Sequence, residues 1–247
     1  MVDAFNDLLA RQASSLGAQR RFIADAAHQM KTPLAGLRTQ AELAMRETDP
    51  RQLQRSLGQL VRSASRTAHL VSQLLSLART ENLRDAAAME PLDLCPLVRT
   101  LASEWADEAL KRHIDFGVEN DVGTAPILGQ PILLREMIHN LVDNALRYTP
   151  ERGMVTVRTF GTPEEVVLEV EDDGVGIPAN ERQMVFERFY RMPGAPGDGS
   201  GLGLSIVREI AAQHNARIEI EDGIPWPAAR GGGAGTRVSV HFPRQAE

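Results

Sequence analysis

A heptad pattern of apolar and small residues occupies the first third of the chain and constrains its fold more than any other feature. In both halves of this region the positions recur at alternating steps of four and three residues. The first series is Ile23, Ala27, Met30, Leu34, Leu37, Ala41 and Ala44, and the second is Leu53, Leu57, Leu60, Ala64, Thr67, Val71, Leu74 and Ala78. This period predicts two long helices packed with coiled-coil geometry. The break lies at Thr48–Pro50, where proline suits the first turn of the second helix.

A weaker second stripe, formed by Val61, Ala68 and Leu75, runs beside the first on the later helix. A single antiparallel hairpin buries one stripe, so a second stripe indicates a further partner surface. We therefore predict a four-helix bundle formed by two copies of the chain. A monomeric hairpin packed on the rest of the chain is the alternative.

The pattern changes after a polar segment at residues 81–89, which we interpret as a linker. Beyond it, predicted helices lie near Leu94–Lys111, Pro131–Arg147 and Leu202–His214, and predicted strands near Ile114–Val118, Val155–Thr159, Val166–Glu171, Ile218–Glu221 and Arg237–Phe242. Strands grouped with one-sided helices predict an α/β sandwich with a mixed sheet, so the whole chain is expected to be a multidomain α+β protein. Glycine and proline gather at 193–203 and 223–235, which predicts two mobile loops.

The composition disfavours nucleic-acid binding and limits what the chain's cysteine can do. A net charge of −6 gives no basic footprint for nucleic acid. The one cysteine, Cys95, cannot form an internal disulfide or a cysteine-based metal site, and we expect it to be buried and inert. No run of about 18 apolar residues is present, and the first residues lack the features of a signal peptide. If the intact protein is a membrane protein, we expect this chain to be a piece of it.

One histidine has a noteworthy setting. His28 follows the heptad residue Ala27, so on a helix it lies at the edge of the packed stripe and can reach solvent. Thr32 is four residues further on and therefore on the same face. A histidine that faces solvent is usually an ordinary surface residue, so this segment does not define a site by itself.

Polar residues share one sector of the helix predicted near Pro131–Arg147. At about 100° per residue, Glu136, Asn140, Asn144 and Arg147 cluster beside the apolar face. Amide oxygens can join water and phosphates around Mg²⁺, and an arginine one turn further can meet a phosphate. Polar residues on a helix are also often simply solvated.

Two glycine-rich segments follow. Asp172 ends a predicted strand, and Gly174 and Gly176 come directly after it. A carboxylate there can accept a hydrogen bond from an exocyclic amine, while glycines let the backbone approach a flat ring. The run Gly199–Leu204 opens a helix whose N–H groups can cradle phosphate. Each segment alone is weak, because turns also use these residues and no βαβ dinucleotide unit surrounds them.

Taken in order, these segments resemble the H, N, G1, F and G2 boxes of dimeric sensor histidine kinases. The F box matches Val185–Arg191, and Gly233–Thr236 is similar to a last glycine box. The resemblance runs from about residue 20 to 243. It implies a helical hairpin that forms a dimeric four-helix bundle, followed by a Bergerat-type α/β sandwich that binds ATP. The domains expected from it are 1–17, the end of a HAMP or signalling helix; 18–82, the dimerisation and phosphotransfer hairpin; 83–89, the linker; and 90–247, the catalytic domain.

The resemblance also implies a role for each matching residue. His28 would accept the γ-phosphate of ATP and pass it to an aspartate of a response regulator, and Thr32 would assist hydrolysis of that aspartyl phosphate. Asn140 and Asn144 would hold Mg²⁺, and Asp172 would bind the adenine amine. The other nucleotide-binding residues would be Arg147, Tyr148, Gly174, Gly176, Arg191 and Leu202, with Gly199, Gly201 and Gly203 as a lid hinge. The chain would be the cytoplasmic part of a homodimer in the bacterial inner membrane, and residues 22–42 look most like the tricarboxylate-transport sensor kinases.

Gln29 departs from the family pattern, which usually has a carboxylate directly after the histidine. Glutamine can orient the imidazole but cannot take up its proton at neutral pH, so the general base is in doubt while phosphotransfer is not. Two other functions are alternatives. A gyrase-like or mismatch-repair ATPase needs a glutamate where Asn140 stands, and a non-catalytic scaffold does not need intact nucleotide boxes.

Overall fold

The computed structural model describes residues 26–27, 30–83, 88–120, 123–195, 199–225 and 233–245, with only the backbone at residues 79 and 81–83. The chain divides into two compact units, Met1–Leu75 and Ser76–Glu247. Among the described residues, no helix combines the length and the apolar character that a bilayer crossing requires.

Two helices dominate the first unit. Helix α1 covers residues 30–46, and α2 is Pro50–Leu83, whose last two turns belong to the second unit. Asp49 caps the N-terminus of α2, because its side chain accepts a hydrogen bond from the Arg51 N–H at 2.9 Å and its carbonyl accepts from the Leu53 N–H. The break predicted at Thr48–Pro50 is therefore confirmed.

Both stripes on α2 include exposed residues. The first stripe is buried at Thr67 and Leu74 although its Leu57 is 49 % exposed, and Val61 and Leu75 of the second stripe are 63 % and 54 % exposed. An apolar stripe left open to water costs free energy in an isolated chain. The exposure thus agrees with a further partner on this side of α2.

The second unit is built on a five-stranded mixed sheet, as predicted. Its strands are β2 (Asp115–Asn120), β4 (Met154–Gly161), β5 (Glu165–Asp172), β6 (Arg217–Glu221) and β7 (Thr236–Pro243). They lie in the order β2-β4-β5-β7-β6, with β2 parallel to β4 and the other pairs antiparallel. Helices α3 (Leu94–Lys111), α4 (Pro131–Tyr148) and α5 (Gly203–Gln213) contact this sheet, and together they form the sandwich.

Strand alternation gives the sheet two different faces. One face is buried and apolar, with Val157, Leu168, Val240 and Phe242 among its members. The opposite face carries charged side chains from β4, β5 and β7. The apolar face packs under the helices that form the candidate site.

Two short strands and one short helix were not predicted. Strands β1 (Glu90–Asp93) and β3 (Pro126–Gly129) pair in a separate two-stranded sheet, and a 3₁₀ helix spans Met184–Phe186. Four-residue strands that contain proline show no alternating pattern, so only their tertiary pairing reveals them. Asp93 connects the sheet to α3, since its carboxylate accepts from the N–H groups of Cys95 at 3.0 Å and Ala125 at 2.9 Å.

Cys95 is fully buried, as expected. Burial raises the pKa of its thiol, and the neighbouring Asp93 raises it further. A buried, protonated thiol is a poor nucleophile, which fits the inert role assigned to it.

The last two turns of α2 form hydrogen bonds with helices of the second unit. The Ser76 hydroxyl donates to Oε2 of Glu136 at 2.6 Å, and the Gln213 amide donates to the Thr80 carbonyl at 3.1 Å. Leu77 and Thr80 are fully buried. The unit boundary therefore falls inside a continuous helix, and the domain boundaries proposed from the sequence stay a prediction.

Candidate functional site

Helix α4 forms one wall of the site. Asn140 is almost completely buried, and its Nδ2 donates to the Glu136 carbonyl at 2.8 Å, which turns the amide oxygen to the opposite side. Asn144 lies one turn later and is half-buried. The four-residue spacing places both amides along one side of the helix. Glu136, which the sequence grouped with them, instead binds Ser76 through its carboxylate.

The last turn of α4 adjoins the glycine-rich loop. Arg147 Nη2 lies 3.0 Å from Oδ2 of Asp143, so this guanidinium is oriented by its own helix. A Cβ atom built on Gly199 would lie 3.2 Å from the Tyr148 hydroxyl oxygen and 4.0 Å from Cδ of Arg147. The structure therefore brings the end of the N box and the start of the G2 box together.

Asp172 stands at the end of β5 and is only 6 % exposed. Its Oδ1 accepts a hydrogen bond from the Gly174 N–H at 2.9 Å, and Thr236 adds bonds from its backbone and side chain. Burial raises the pKa of Asp172 to about 7, against the hydrogen bonds from Gly174 and Thr236 that lower it. A buried carboxyl group with a pKa near neutrality is typical of functional sites.

Glycines surround this carboxyl group because the backbone segments approach too closely for a side chain. A Cβ on Gly174 would lie 2.5 Å from the Tyr148 carbonyl oxygen. Gly176 has φ of +79°, and its Cβ would lie 2.9 Å from the carbonyl oxygen of Gly235. The Gly235 N–H in turn donates to the Gly174 carbonyl at 3.1 Å. The N box, the G1 box and the last glycine box thus meet around Asp172.

The F box is joined to the G2 loop in the same way. The Phe189 N–H donates to the Gly201 carbonyl at 2.8 Å, and a Cβ on Gly201, whose φ is +74°, would lie 2.6 Å from the Phe189 carbonyl carbon. Leu202 is fully buried, with its N–H bonded to the Ser200 hydroxyl at 3.1 Å, and Gly203 begins α5. Arg191 is exposed nearby in sequence, and residues 196–198 of this loop lie outside the described residues.

The arrangement suits a purine nucleotide. A carboxyl group flanked by bare backbone suits the edge and face of a purine, and the start of α5 suits phosphate. The described residues hold no cluster of three His, Cys, Asp or Glu side chains that could bind a metal. A cation here would therefore rely on the amide oxygens of Asn140 and Asn144 together with phosphate and water oxygens, which Mg²⁺ accepts.

The remaining predicted residues belong to the first unit or lie outside the described residues. His28 and Gln29 lie outside the described residues, as do residues 1–17 with the predicted HAMP segment. Thr32 is exposed on α1 in the first unit. The roles given to these residues stay predictions.

Two residues of the site were missed by the sequence reasoning. Thr236 bonds to Asp172, and the available signal was its place as the last residue of the last glycine box, where the sequence reasoning gave it no role. Asp173 fixes the neighbouring strand, because its Oδ1 accepts from the Met154 N–H at 2.8 Å. Its position inside the G1 box hid this structural role.

Comparison with known families gives two matches. Residues 18–83 match the His Kinase A (phospho-acceptor) domain, and residues 129–246 match the histidine kinase-, DNA gyrase B- and HSP90-like ATPase family. The first match separates the chain from gyrase-like ATPases, which the second match alone would not do.

Individual relatives agree. The sensor protein kinase PmrB of Pseudomonas aeruginosa is 38 % identical over 245 residues, which is 99 % of this chain and 50 % of PmrB. The solved mycobacterial sensor histidine kinase MprB is 31 % identical with a TM-score of 0.53, and the match covers 64 % of this chain and 99 % of that one. The structure of histidine kinase ThkA in complex with the response regulator protein TrrA is 21 % identical with a TM-score of 0.70, over 90 % of this chain and 60 % of that one, and shows the fold alone.

The chain spans about half the length of the curated relatives it matches. The finer resemblance to tricarboxylate-transport kinases stays a prediction. With a phospho-acceptor domain followed by an ATPase domain, and with a sensor histidine kinase covered over 99 % of its solved length, the chain belongs to the sensor histidine kinase family.

Proposed function

We propose that the chain is the kinase core of a sensor histidine kinase, which transfers the γ-phosphate of ATP to its own His28 and then to an aspartate of a response regulator. The observation that carries this proposal is the convergence of Asp172, the last turn of α4 and the glycine loops in one cluster. That cluster belongs to a chain that also matches a phospho-acceptor domain.

The cluster would bind ATP at the adenine and at the phosphates. The Asp172 carboxylate accepts a hydrogen bond from the exocyclic amine of adenine, and the backbone at Gly174 and Gly176 lies against the ring. The start of α5 and the arginines Arg147 and Arg191 face the phosphates. When bound, Mg²⁺ would supply charge neutralisation on the phosphates, with Asn140 and Asn144 as its protein ligands.

His28 would be the nucleophile. Its neutral imidazole attacks the γ-phosphorus, a nitrogen–phosphorus bond forms, and the bond to the bridging oxygen breaks so that ADP leaves. The ring proton must be lost, and Gln29 can orient the ring without accepting that proton. Neutral imidazole, the main form above a pH of about 6.5, is already a nucleophile without a base. The proton that the ring loses after the attack can then pass to water.

Thr32 would serve a second activity, hydrolysis of the regulator's aspartyl phosphate. Thr32 follows His28 by four residues in the sequence and its side chain is exposed, so its hydroxyl can orient a water molecule. This role leaves the ATP site untouched. Thr32→Ala is therefore expected to lower phosphatase activity while self-phosphorylation persists.

The proposed partners follow from the exposed stripe and the family. The open residues Val61 and Leu75 support a homodimer through the helical hairpin. A response regulator would be the acceptor of the phosphoryl group. The intact protein would reside in the bacterial inner membrane, with this chain on its cytoplasmic side.

Incubation with γ-labelled ATP tests the function. We expect label on the chain that is lost in acid and survives base, as phosphohistidine does, and none on a His28→Ala variant that still binds ATP. His113→Asn is the matched control: it removes an exposed histidine, keeps a residue that tolerates the φ of 54° found there, and should label normally. Label that persists in His28→Ala would refute the assignment, and ATP binding without any label would indicate a non-catalytic scaffold.

A further inference from the structure

The end of β5 carries two adjacent acidic residues that point to opposite faces of the sheet. Asp172 pairs with Val155 and Thr236 on the helix-covered face, and Glu171 pairs with Thr156 and Arg237 on the reverse face. The reverse face is not the nucleotide site. Nevertheless the Glu171 side chain is only 3 % exposed, which is unusual for a lone carboxylate.

Glu171 is buried because two arginines enclose it. Its Oε1 accepts from Nη2 of Arg237 at 2.8 Å and from Nε at 3.2 Å, and its Oε2 accepts from Nη1 of Arg158. Arg158 is on β4 and Arg237 is on β7, so one carboxylate ties three neighbouring strands together. Charge-assisted bonds of this kind are the stronger ones in proteins.

The electrostatics keep this link ionised. Burial alone would raise the pKa of Glu171, but the hydrogen bonds from Arg158 and Arg237 outweigh it and hold the pKa below its usual value. The bond to Glu171 is also the main cause of a raised pKa at Arg237. The link is therefore a permanent ion cluster near neutral pH.

The neighbouring residue on the same strand, Asp172, is the proposed acceptor for the adenine amine. On β7, Arg237 binds Glu171 on the reverse face while its neighbour Thr236 binds Asp172 on the front face. Any sideways movement of β5 at Glu171 would move the Asp172 carboxylate with it. Hydrogen bonds weaken steeply with misalignment, so such a movement would weaken the bond between the Asp172 carboxylate and the adenine amine.

We propose that Glu171, clamped between Arg158 and Arg237, is a positioning residue that fixes the Asp172 carboxylate for recognition of adenine over guanine. This rests on the proposed function, in which Asp172 accepts from the adenine amine. Guanine has a carbonyl where adenine has that amine. A well-placed carboxylate therefore favours the binding of adenine over that of guanine. Glu171 itself touches no nucleotide.

The test measures the affinity of the full chain for ATP and for GTP by calorimetry, before and after Glu171→Gln. We expect ATP affinity to fall about tenfold, the scale on which groups that orient a binding residue act. GTP affinity should change little, so the preference for ATP should fall by the same factor. If Glu171 had only a structural role, the variant would lose affinity for ATP and for GTP equally, and that result would overturn the proposal.

Glu165→Gln is the matched control. Glu165 lies on the same face at the other end of β5, where it pairs with Arg217 at 3.3 Å and His241 at 3.0 Å. At about 3.3 Å per residue it is roughly 20 Å from Asp172, so the ATP preference should stay unchanged. An equal loss of preference in the control would overturn the proposal.

A milder variant guards against failure to fold. Arg237→Gln removes one arm of the clamp and leaves Arg158 on Glu171, so a smaller loss of the ATP preference is expected. If the wild-type chain prefers ATP and both variants keep that preference, the clamp has no positioning role. If the wild-type chain shows no preference for ATP, the proposed role of Asp172 fails, and this inference fails with it.

Discussion

Asp172 shows how one residue can gain function at the expense of stability. Its folded pKa of about 7 lies above the value of about 3.9 expected in the unfolded chain. Between these two pKa values the folded state holds a proton that the unfolded state has lost, so stability falls progressively as the pH rises from about 4 to about 7. At pH 8 the buried carboxylate is a cost that ATP can offset by donating to it.

Asp172→Asn should separate these two effects. The amide lacks the charge, so at pH 8 we expect the variant to be more stable than the wild type by about 2–4 kcal/mol. Its ATP affinity should fall by about 1–3 kcal/mol, because an acceptor is replaced by a group that can present a donor to the adenine amine. Denaturant unfolding and calorimetry measure the two quantities. A variant that is destabilised at pH 8 while binding ATP normally would contradict both expectations.

At the residue scale, the sequence was sufficient to propose the residues of the site but not those that support them. Asn140, Asp172 and Gly201 could be proposed because each residue type suits the ligand expected there and the spacing resembles a known family, and their roles stay predictions. Glu171 could not be predicted, because its role depends on the register that places Arg158 and Arg237 beside it. Such cross-strand pairs are far apart in sequence.

At the scale of elements, a buried imidazole joins two helices of the site. His214 follows α5, and its Nε2 accepts from the Gln130 N–H at 3.0 Å, directly before α4. Its Nδ1 lies 2.8 Å from the Ile210 carbonyl oxygen, so Nδ1 carries the proton and the ring is neutral. Protonation of Nε2 would set two donors against each other.

The pH dependence of this junction has a definite sign. Burial lowers the pKa of His214, partly offset by the bond to Ile210, so below about pH 6.5 the unfolded chain takes up a proton that the folded chain resists. Stability is lost as the pH falls below that value. Asp172 acts in the opposite direction, so the useful measurement is the difference between wild type and His214→Gln.

We expect the wild type to lose stability relative to His214→Gln when the pH falls from 7.5 to 5.5. Denaturant unfolding at both pH values gives the difference. His113→Asn, which changes an exposed histidine, should follow the wild type. Parallel pH curves for wild type and His214→Gln would show that the buried ring does not control this dependence.

The elements were predictable where local signals agreed with packing. Helix α3 was predicted at its observed bounds, and α4 and α5 within one residue at each end. Strands β1 and β3 were missed, because they are short and pair only across a long separation in sequence, as between Asp93 and Pro126. Helical period is a local property, whereas strand pairing is not.

At the scale of the whole molecule, the open stripe on α2 predicts the state of assembly. Val61→Glu places a charge where a partner helix would pack, so the dimer should dissociate at least about tenfold more readily. Light scattering over a range of concentrations measures this. Leu110→Glu is the control, since Leu110 is 72 % exposed at the end of α3 and lies outside the stripe. A monomeric wild type, or a Val61→Glu variant that dimerises normally, would favour the monomeric hairpin.

The adjacent carboxylates at the end of β5 restrict how the length of this strand can change during evolution. Because neighbouring strand residues face opposite sides, deletion of one residue within β5 would bring Glu171 to the nucleotide face or place Asp172 among the arginines. Each change would leave a buried charge without its partners. Insertions and deletions are thus confined to the turn at residues 162–164, where the Thr162 N–H already closes onto the Glu165 carbonyl at 2.9 Å, and to the loops beyond the strand.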